Sequence, residues 1–326
     1  MNHLRATTLA VGLTALSAVS AQAQSLTVET GTASGLTTLA MQVIATYGGT
    51  DLQINSGQTL TRSCLKLGQA QIDVAVCPPP AFAALSRGVG PYRENPDEAV
   101  AASANVRSLF GISGGMFHFI VGADSGIESW DDLVGRRVFT GPPAGTANQQ
   151  SQTIIRAASG LIADVDYESV RVGWGAAIQG YQDGQFDMLV FPTVVGNSVL
   201  EQIGPFTLLP LSDAALATEA WAEWAASDAR QPGVIPAGIY SNATNQDDIT
   251  AAEYFMMIAV NASMDDDTAY ELTRQFWSNL EQATGDIALL ASINADRPLQ
   301  GVNAPLHPGA LRYYEEMGVE IPAALR

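Results

Sequence analysis

Three short loops rich in Gly, Ser and Thr, each followed at once by a helix-like segment, are the part of this sequence best suited to binding chemistry. They span residues 31–35 (GTASG), 56–59 (SGQT) and 141–146 (GPPAGT). The N-terminus of a helix presents unpaired N–H donors and a partial positive charge, and both favour an anion. Small residues let the backbone approach a ligand, and hydroxyl groups add donors. Three such loops in one chain predict a pocket for a small carboxylate.

The predicted ligand-binding residues lie in these loops and at or just after the ends of buried strands. Hydroxyl and amide groups of the loops could bind a carboxylate, although they could instead cap the helices that follow. The strand-end residues would shape the cleft, and an aromatic residue among them could form an apolar wall or belong to a core. The loop residues are Thr32, Ser34, Gln58, Thr59, Gly145, Thr146 and Asn148, and the strand-end residues are Cys77, Trp174, Phe191 and Thr193.

Two arginines and two histidines are weaker candidates. Arg62 and Arg107 could hold a carboxylate through bidentate hydrogen bonds, but nothing distinguishes either from a surface ion pair. His118 lies in a predicted strand, which favours a core or hinge position, and His307 is interpreted as structural. Two distant histidines and no cysteine cluster do not make a zinc site, and the acidic run at 265–267 lacks EF-hand spacing. No metal and no cofactor is therefore predicted.

The N-terminus has the pattern of a secretory signal peptide. A short basic start at residues 1–5 precedes an apolar run at residues 6–20 and then the A-x-A site Ala21-Gln22-Ala23. We therefore expect residues 1–23 to be removed by cleavage near Ala23 and the mature protein to work in the periplasm.

The charge of the chain restricts its partners. The sequence contains 33 Asp and Glu against 15 Lys and Arg, for a net charge of −18. Such a field repels nucleic acid and anionic membranes, so neither is a predicted partner. An anionic ligand would have to be held by local donors. Adaptation to a salty medium, or solubility alone, would account for the charge equally well.

Strand-like and helix-like segments alternate along the chain, which is typical of a mostly parallel α/β sheet. The middle of the chain repeats the pattern and indicates a second lobe. Two long apolar strands, at residues 116–122 and 254–260, could join the lobes, and residues 231–238 are interpreted as a loop. Further strands are predicted at residues 25–30, 51–55, 72–76, 137–140, 170–172 and 186–191, and helices at residues 36–47, 59–68, 130–133, 148–159 and 176–183.

Several segments resemble a known family of transport receptors. Residues 124–127 (DSGI), 132–138 (DLVGRRV) and the third loop look like the core signature of TAXI-type solute receptors, the periplasmic subunits of TRAP transporters. Residues 235–240 (IPAGIY) and 305–314 (PLHPGALRYY) match two more family segments, and the likeness runs from about residue 28 to residue 318.

The chain also departs from the family pattern near the predicted pocket. The first loop of the family usually precedes two tyrosines, where this chain has Thr37 and Thr38. The second loop usually reads Gly-Gly-Ser and here reads Ser-Gly-Gln, and the third strand ends in Cys77 and three prolines instead of a polar segment with an Asp. These departures affect the ligand assignment and not the fold assignment.

The resemblance implies a type II periplasmic-binding-protein fold, in which two α/β lobes are joined by a two-strand hinge and the ligand cleft lies between them. Lobe I is predicted to comprise residues 24–119 and 250–326, and lobe II residues 120–249. The resemblance further implies a monomeric, non-catalytic solute-binding protein. It would capture a glutamate-like amino acid or a short dicarboxylate and deliver it to the membrane subunits of a TRAP permease, which are often fused.

Two alternatives to the TRAP assignment remain at this point. A receptor of an ABC transporter or of a signalling system would have the same fold. An exported hydrolase is more remote, because the sequence has no GxSxG motif and Cys77 with His118 is the only nucleophile–base pair to consider.

Export permits a disulfide between the two cysteines of the chain. However, Cys64 falls within a helical pattern and Cys77 at a strand end, so their separation could exceed bonding reach. The sequence therefore does not favour a bridge.

Overall fold

The computed structural model describes residues 25–143 and 145–326. The predicted signal peptide, residues 1–23, and Ala144 of the third loop lie outside the described residues. Within those ranges, no helix combines the length and the apolar character needed to cross a membrane.

Strands and helices alternate along most of the chain, as the sequence predicts, and α1 below continues directly into a π-helical segment at Val43–Gly48. The strands are β1 (Leu26–Glu29), β2 (Leu52–Asn55), β3 (Val74–Cys77), β4 (Val106–Gly122), β5 (Arg137–Phe139), β6 (Glu168–Val170), β7 (Met188–Thr193), β8 (Phe206–Leu208), β9 (Arg230–Ile235) and β10 (Ile249–Asn261). The helices are α1 (Leu36–Gln42), α2 (Leu60–Gly68), α3 (Pro79–Leu85), α4 (Pro96–Ser103), α5 (Thr146–Ser159), α6 (Trp174–Gln182), α7 (Asp213–Leu216), α8 (Glu219–Trp224), α9 (Asp266–Asp286) and α10 (Pro308–Glu316).

The strands of the described residues belong to one mixed sheet. Their order is β2-β1-β3-β10-β4-β7-β5-β6, with β8 beside β4 and β9 beside β10. β1 pairs in parallel with β2 and β3, and β5 pairs in parallel with β6 and β7. The long strands β10 and β4 pair antiparallel with each other and with the parallel strands on either side. Two α/β lobes joined by two long strands confirm the predicted type II periplasmic-binding-protein fold.

The hydrophobic side chains of the two lobes pack in separate clusters. One cluster covers β1–β3 and the helices α1, α2, α9 and α10, and two others cover the opposite faces of the β5 and β7 region. Each hinge strand passes from the first cluster to the second. On β4 the change falls between Ile112 and Phe117, and on β10 it falls between Met257 and Tyr254. The predicted lobe boundaries, next to residues 119 and 250, stay a prediction, and these changes of cluster lie within a few residues of them.

The first hinge strand is longer than the sequence indicates, because β4 begins at Val106 and not at Met116. Two glycines at the centre of β4, Gly114 and Gly115, are packed so closely by neighbouring atoms that neither position has room for a side chain. A Cβ atom on Gly114 would lie 2.2 Å from the Tyr254 ring, and one on Gly115, at φ +114°, would lie 2.1 Å from the carbonyl oxygen of Thr193. The glycines therefore let the strand pass through the hinge rather than end it.

The interpretation of residues 231–238 as a loop is wrong for residues 231–235, which belong to β9, and holds for residues 236–238. β9 pairs antiparallel with β10, with Ile235 opposite Ile249 and Arg230 opposite Tyr254. Pro232 is tolerated because β9 is an edge strand, where one side of the backbone needs no ladder partner. The strand predicted at 170–172 is also displaced, since β6 ends at Val170.

The two cysteines form a disulfide, contrary to the sequence-based expectation. The Cα atoms of Cys64 and Cys77 lie 5.3 Å apart, and both side chains are fully buried. In a β–α–β unit the helix runs antiparallel to the strand that follows it. The end of β3 therefore comes back beside the first half of α2, within bonding reach of Cys64.

Candidate functional site

A cleft of about 1030 Å³, including the part open to solvent, lies between the two lobes. Its walls are the loops before α1 and α2 on one side and the loops before α5 and α6 on the other. Its floor is formed by the hinge strands and the start of β9. A concave, partly apolar cleft between two lobes is a common place for a small organic ligand. Seven of the predicted ligand-binding residues line it together: Thr32, Gln58, Thr59, Gly145, Thr146, Trp174 and Thr193.

The helices that begin at the cleft lack side-chain caps. Their N-cap residues are Gly35, Thr59, Gly145 and Gly173, and in none of them does a side chain of the described residues cap the helix. Elsewhere the chain does use such caps, as at Asp265 before α9. The N-cap side chains therefore do not cap these helices, and the first turns of α1, α5 and α6 present N–H groups at the cleft wall.

Ser34 does not line the cleft but lies at a contact between the two lobes. Its hydroxyl oxygen accepts a hydrogen bond from Asn197 Nδ2 at 3.2 Å. The same amide donates to Thr193 Oγ1 at 2.7 Å, and Thr193 does line the cleft. Ser34 thus joins the first loop to the segment that follows β7 in the opposite lobe.

Three further predicted ligand residues also lie behind the cleft wall. Cys77 is in the disulfide, and its neighbour Pro78 takes the wall position. Asn148 turns inward, because its side-chain amide donates to Thr140 Oγ1. Phe191 is 5% exposed and supports Trp174, with ring centroids 5.8 Å apart. None of these three residues is among those that line the cavity, and their contact with a ligand stays a prediction.

The two threonines that follow the first loop have different surroundings. Thr37 lines the cleft. Thr38 is buried, and its hydroxyl lies 2.7 Å from Thr30 Oγ1 and 2.9 Å from the carbonyl oxygen of Thr32. Thr37 is therefore part of the pocket surface, and Thr38 fixes the shape of the first loop.

Arg230 is the cation of the cleft, and sequence reasoning missed it. The residue begins β9 and lines the floor. Its Nη1 donates to the carbonyl oxygen of Trp224 at 2.6 Å, and its guanidinium carbon lies 5.6 Å from the Trp224 ring centroid. Its Nε is buried without a hydrogen-bond partner, and no carboxylate among the described residues pairs with it.

Burial lowers the pKa of Arg230 to about 10, so the side chain is still a cation at neutral pH. The arginines singled out from the sequence do not reach the cleft: Arg62 is exposed on α2, and Arg107 donates to two nearby carbonyl oxygens. Arg230 directly precedes a segment whose Pro and Gly residues indicate a loop, so the local pattern does not show that Arg230 begins a strand.

Of the described residues that line the cleft, none is Asp or Glu. The partly buried carboxylates on nearby strands already have partners. Glu29 binds Lys66 Nζ and Ser63 Oγ, each at 2.6 Å. Glu253 accepts hydrogen bonds from Ser113 Oγ at 3.0 Å and from Gln231 Nε2 at 2.7 Å. The polar groups of the described lining are therefore N–H and amide groups, hydroxyl groups and the guanidinium cation of Arg230.

Large apolar side chains cover the floor and one wall. Phe117, Tyr254, Phe255 and Met256 come from the hinge strands, and Trp174 from the start of α6. Trp174 also packs edge-on against Phe139 and Phe191 in the core of its lobe. Both interpretations of this tryptophan, as a pocket wall and as core, therefore hold.

His118 is a buried hinge residue in a hydrogen-bonded chain. Its Nδ1 lies 3.0 Å from the carbonyl oxygen of Met116, and its Nε2 lies 2.8 Å from the Tyr240 hydroxyl. Burial lowers the pKa of His118 to about 4, so the ring is neutral at pH 7. Since a carbonyl only accepts, Nδ1 donates to Met116 and Nε2 accepts from Tyr240. Cys77 is in the disulfide and has no free thiol. Cys77 and His118 therefore cannot act as the nucleophile–base pair that the sequence analysis considers.

His307 has a structural position, as expected. It is the N-cap of α10, where its Nδ1 accepts a hydrogen bond from the N–H of Gly309 at 3.3 Å. Within the described ranges, no group of three or more His, Cys, Asp or Glu side chains is arranged to hold a metal ion.

Residues 34–318 match the model of the NMT1-like family. The chain belongs to this family. The match covers both lobes, the hinge and the cleft lining except Gly31 and Thr32. The TAXI assignment is narrower than this family and stays a prediction.

Several solved structures are distantly similar to the chain. The aliphatic sulphonate binding protein SsuA from Escherichia coli is 14% identical, with 93% of this chain and 90% of that chain covered and a TM-score of 0.45. The alkanesulfonate-binding protein SsuA from Xanthomonas axonopodis pv. citri, bound to MOPS, is 13% identical, with 90% of each chain covered and a TM-score of 0.46. A TRAP periplasmic solute binding protein from Sulfitobacter sp. NAS-14.1 with bound β-D-galacturonate is 9% identical, with 92% and 89% covered and a TM-score of 0.43.

Proposed function

We propose that this protein is an extracytoplasmic solute-binding protein that captures a small organic anion in the cleft between its lobes and catalyses no reaction. The observation that carries the proposal is Arg230, a partly buried guanidinium that lines the cleft and has no carboxylate partner. An unpaired buried charge is costly, and a bound anion would remove that cost. The uncapped starts of α2 and α5 would add N–H donors to the same anion.

Binding would work by closure of the lobes on the ligand. Gln58 and Thr59 approach from one lobe and Thr146 and Thr193 from the other, so an anion between them favours the closed state. The contact between Ser34 and Asn197 joins the lobes at the edge of the cleft. A membrane permease would then recognise the closed shape.

The TAXI-like segments of the sequence support delivery to a TRAP permease from the periplasm, with the receptor working as a monomer. A receptor of an ABC transporter is the second candidate, because the NMT1-like family match is broader than the TAXI subfamily. Uptake assays in vesicles that contain either a TRAP permease or an ABC permease would separate the two. Only the true partner should transport a solute in response to this receptor.

A thermal-shift screen of the mature protein tests the binding proposal. The panel would contain organic acids and, for each acid, its neutral carboxamide. A ligand at 100 times its dissociation constant adds about 2.7 kcal/mol to the free energy of unfolding, which raises the melting temperature by several degrees. Stabilisation by acids and not by their amides is the expected result. Equal stabilisation by acid and amide would contradict an anion receptor.

A further inference from the structure

We infer that the ligand is an organic acid with an apolar body and no ammonium group, so that the protein prefers a carboxylic or 2-oxo acid to the amino acid of the same skeleton. This inference rests on the proposed function, because it takes the cleft as the ligand site. It also narrows the expectation from sequence, which includes glutamate-like amino acids.

The charges around the cleft argue against an ammonium group. The lining contains the cation of Arg230 and the N-terminal ends of α2 and α5, which carry partial positive charge. The described lining residues include no carboxylate that could balance a second cation. The carboxylate of an amino acid could pair with Arg230, but its ammonium group would be desolvated in a positive field.

The buried and partly buried carboxylates on the strands β1 and β10, which border the cleft, already have partners. The oxygens of Glu29 are held by Ser63 and Lys66, and those of Glu253 by Ser113 and Gln231. Freeing either carboxylate for an ammonium group would leave buried donors without partners. The preference for acids over amino acids therefore depends on the side chains that hold these carboxylates as well as on the residues that line the cleft.

The apolar part of the lining favours an apolar ligand body. Phe117, Tyr254, Phe255 and Met256 line the floor, and Trp174 lines the wall at the start of α6. Aromatic side chains of this size contribute large apolar contact areas to a bound molecule. A short dicarboxylate would place a second charged group among these side chains with only one arginine to pair with. A single acid group on an aromatic or branched aliphatic body fits the lining better.

Calorimetric titration with matched pairs of compounds tests the inference. One set is phenylpyruvate, 3-phenylpropionate and phenylalanine, and the other is 2-oxoglutarate, glutarate and glutamate. We expect each amino acid to bind at least about tenfold more weakly than its acid partners, since an uncompensated charge costs at least one factor of ten. We also expect the phenyl acids to bind more tightly than the dicarboxylates.

The outcomes separate this inference from the proposed function. An amino acid that binds as tightly as its acid partner, or tighter, would overturn the inference and leave the anion receptor intact. Tighter binding of 2-oxoglutarate than of phenylpyruvate would overturn the apolar-body part. Binding of a neutral amide with no binding of any acid would overturn the proposed function itself.

Two substitutions of glutamine by glutamate give a second test, in which the measured quantity is a ratio of two affinities. Gln150 lines the cleft on α5, and Gln149 is exposed beside it on the same helix. Gln150→Glu supplies the missing carboxylate, so the preference for phenylpyruvate over phenylalanine should fall by about tenfold or more. Gln149→Glu makes the same charge change outside the cleft and should leave the ratio unchanged. Equal ratios in both variants would contradict the charge argument.

Discussion

Replacing Arg230 with methionine removes the cation of the cleft while keeping a long, flexible side chain of similar reach. The variant loses the charge and the N–H donors that an anion would use. Truncating one partner of a buried charge pair costs about 2–5 kcal/mol of binding free energy. The dissociation constant of an organic acid should therefore rise by roughly 30-fold to a few thousand-fold.

The same substitution should have the opposite effect on the protein without ligand. Arg230 Nε is buried with no partner, and burial lowers the pKa of the side chain to about 10, so the folded state holds this charge at a cost. The loss of the hydrogen bond to the Trp224 carbonyl and of the ring contact offsets part of the gain. The melting temperature of the unliganded variant should stay the same or rise by up to about 5 °C.

Isothermal titration and thermal melting measure the two effects on the same preparation. Arg62→Met is the matched control, because Arg62 is an exposed arginine on α2 that does not line the cleft. It should change the affinity by less than about threefold. Unchanged affinity in Arg230→Met would refute the assignment of Arg230 as the anion contact. A large loss of stability without ligand would refute the argument that its charge is unpaired.

Three further predictions concern the third loop, the disulfide and the hinge histidine. Thr146→Ala should weaken binding by about 1–3 kcal/mol in calorimetry, because a buried ligand oxygen loses a donor, and unchanged affinity would remove Thr146 from the site. Replacing Cys64 and Cys77 together with alanine should lower the free energy of unfolding in urea by about 3 kcal/mol, while equal stability would mean that the bridge does not form. His118 has a folded pKa of about 4 against an unfolded value of about 6.5, so stability is lost as the pH falls through this interval. Over that interval the wild type should lose about 3 kcal/mol more than His118→Gln, and equal losses would contradict a buried neutral ring.

The sequence was a good guide to the elements that local patterns control. Alternation of strands and helices predicted the parallel units, and the apolar runs at residues 116–122 and 254–260 predicted the hinge strands β4 and β10. The three glycine-rich loops predicted helices that begin at a common cleft, because strand ends in parallel units meet at one edge of a sheet. Seven of the eleven predicted ligand residues line that cleft.

What the sequence did not show depends on contacts between distant segments. Pro232 made β9 look like a loop, and only its pairing with β10 places Arg230 on the floor of the cleft. The bridge between Cys64 and Cys77 depends on the return of β3 along α2, which neither local pattern contains. Asn148 and Phe191 have the right spacing for the site, but they turn toward Thr140 and the core because buried polar and aromatic groups find partners there.

The most direct test of the central claim is a calorimetric titration of the mature protein with 3-phenylpropionate and, separately, with its uncharged amide. The two compounds differ only in the charged group that Arg230 would bind. The structure predicts measurable binding of the acid and at least about tenfold weaker binding of the amide, since the guanidinium pairs with the charge. Equal binding of the two compounds, or binding of the amide alone, would contradict an anion-binding cleft.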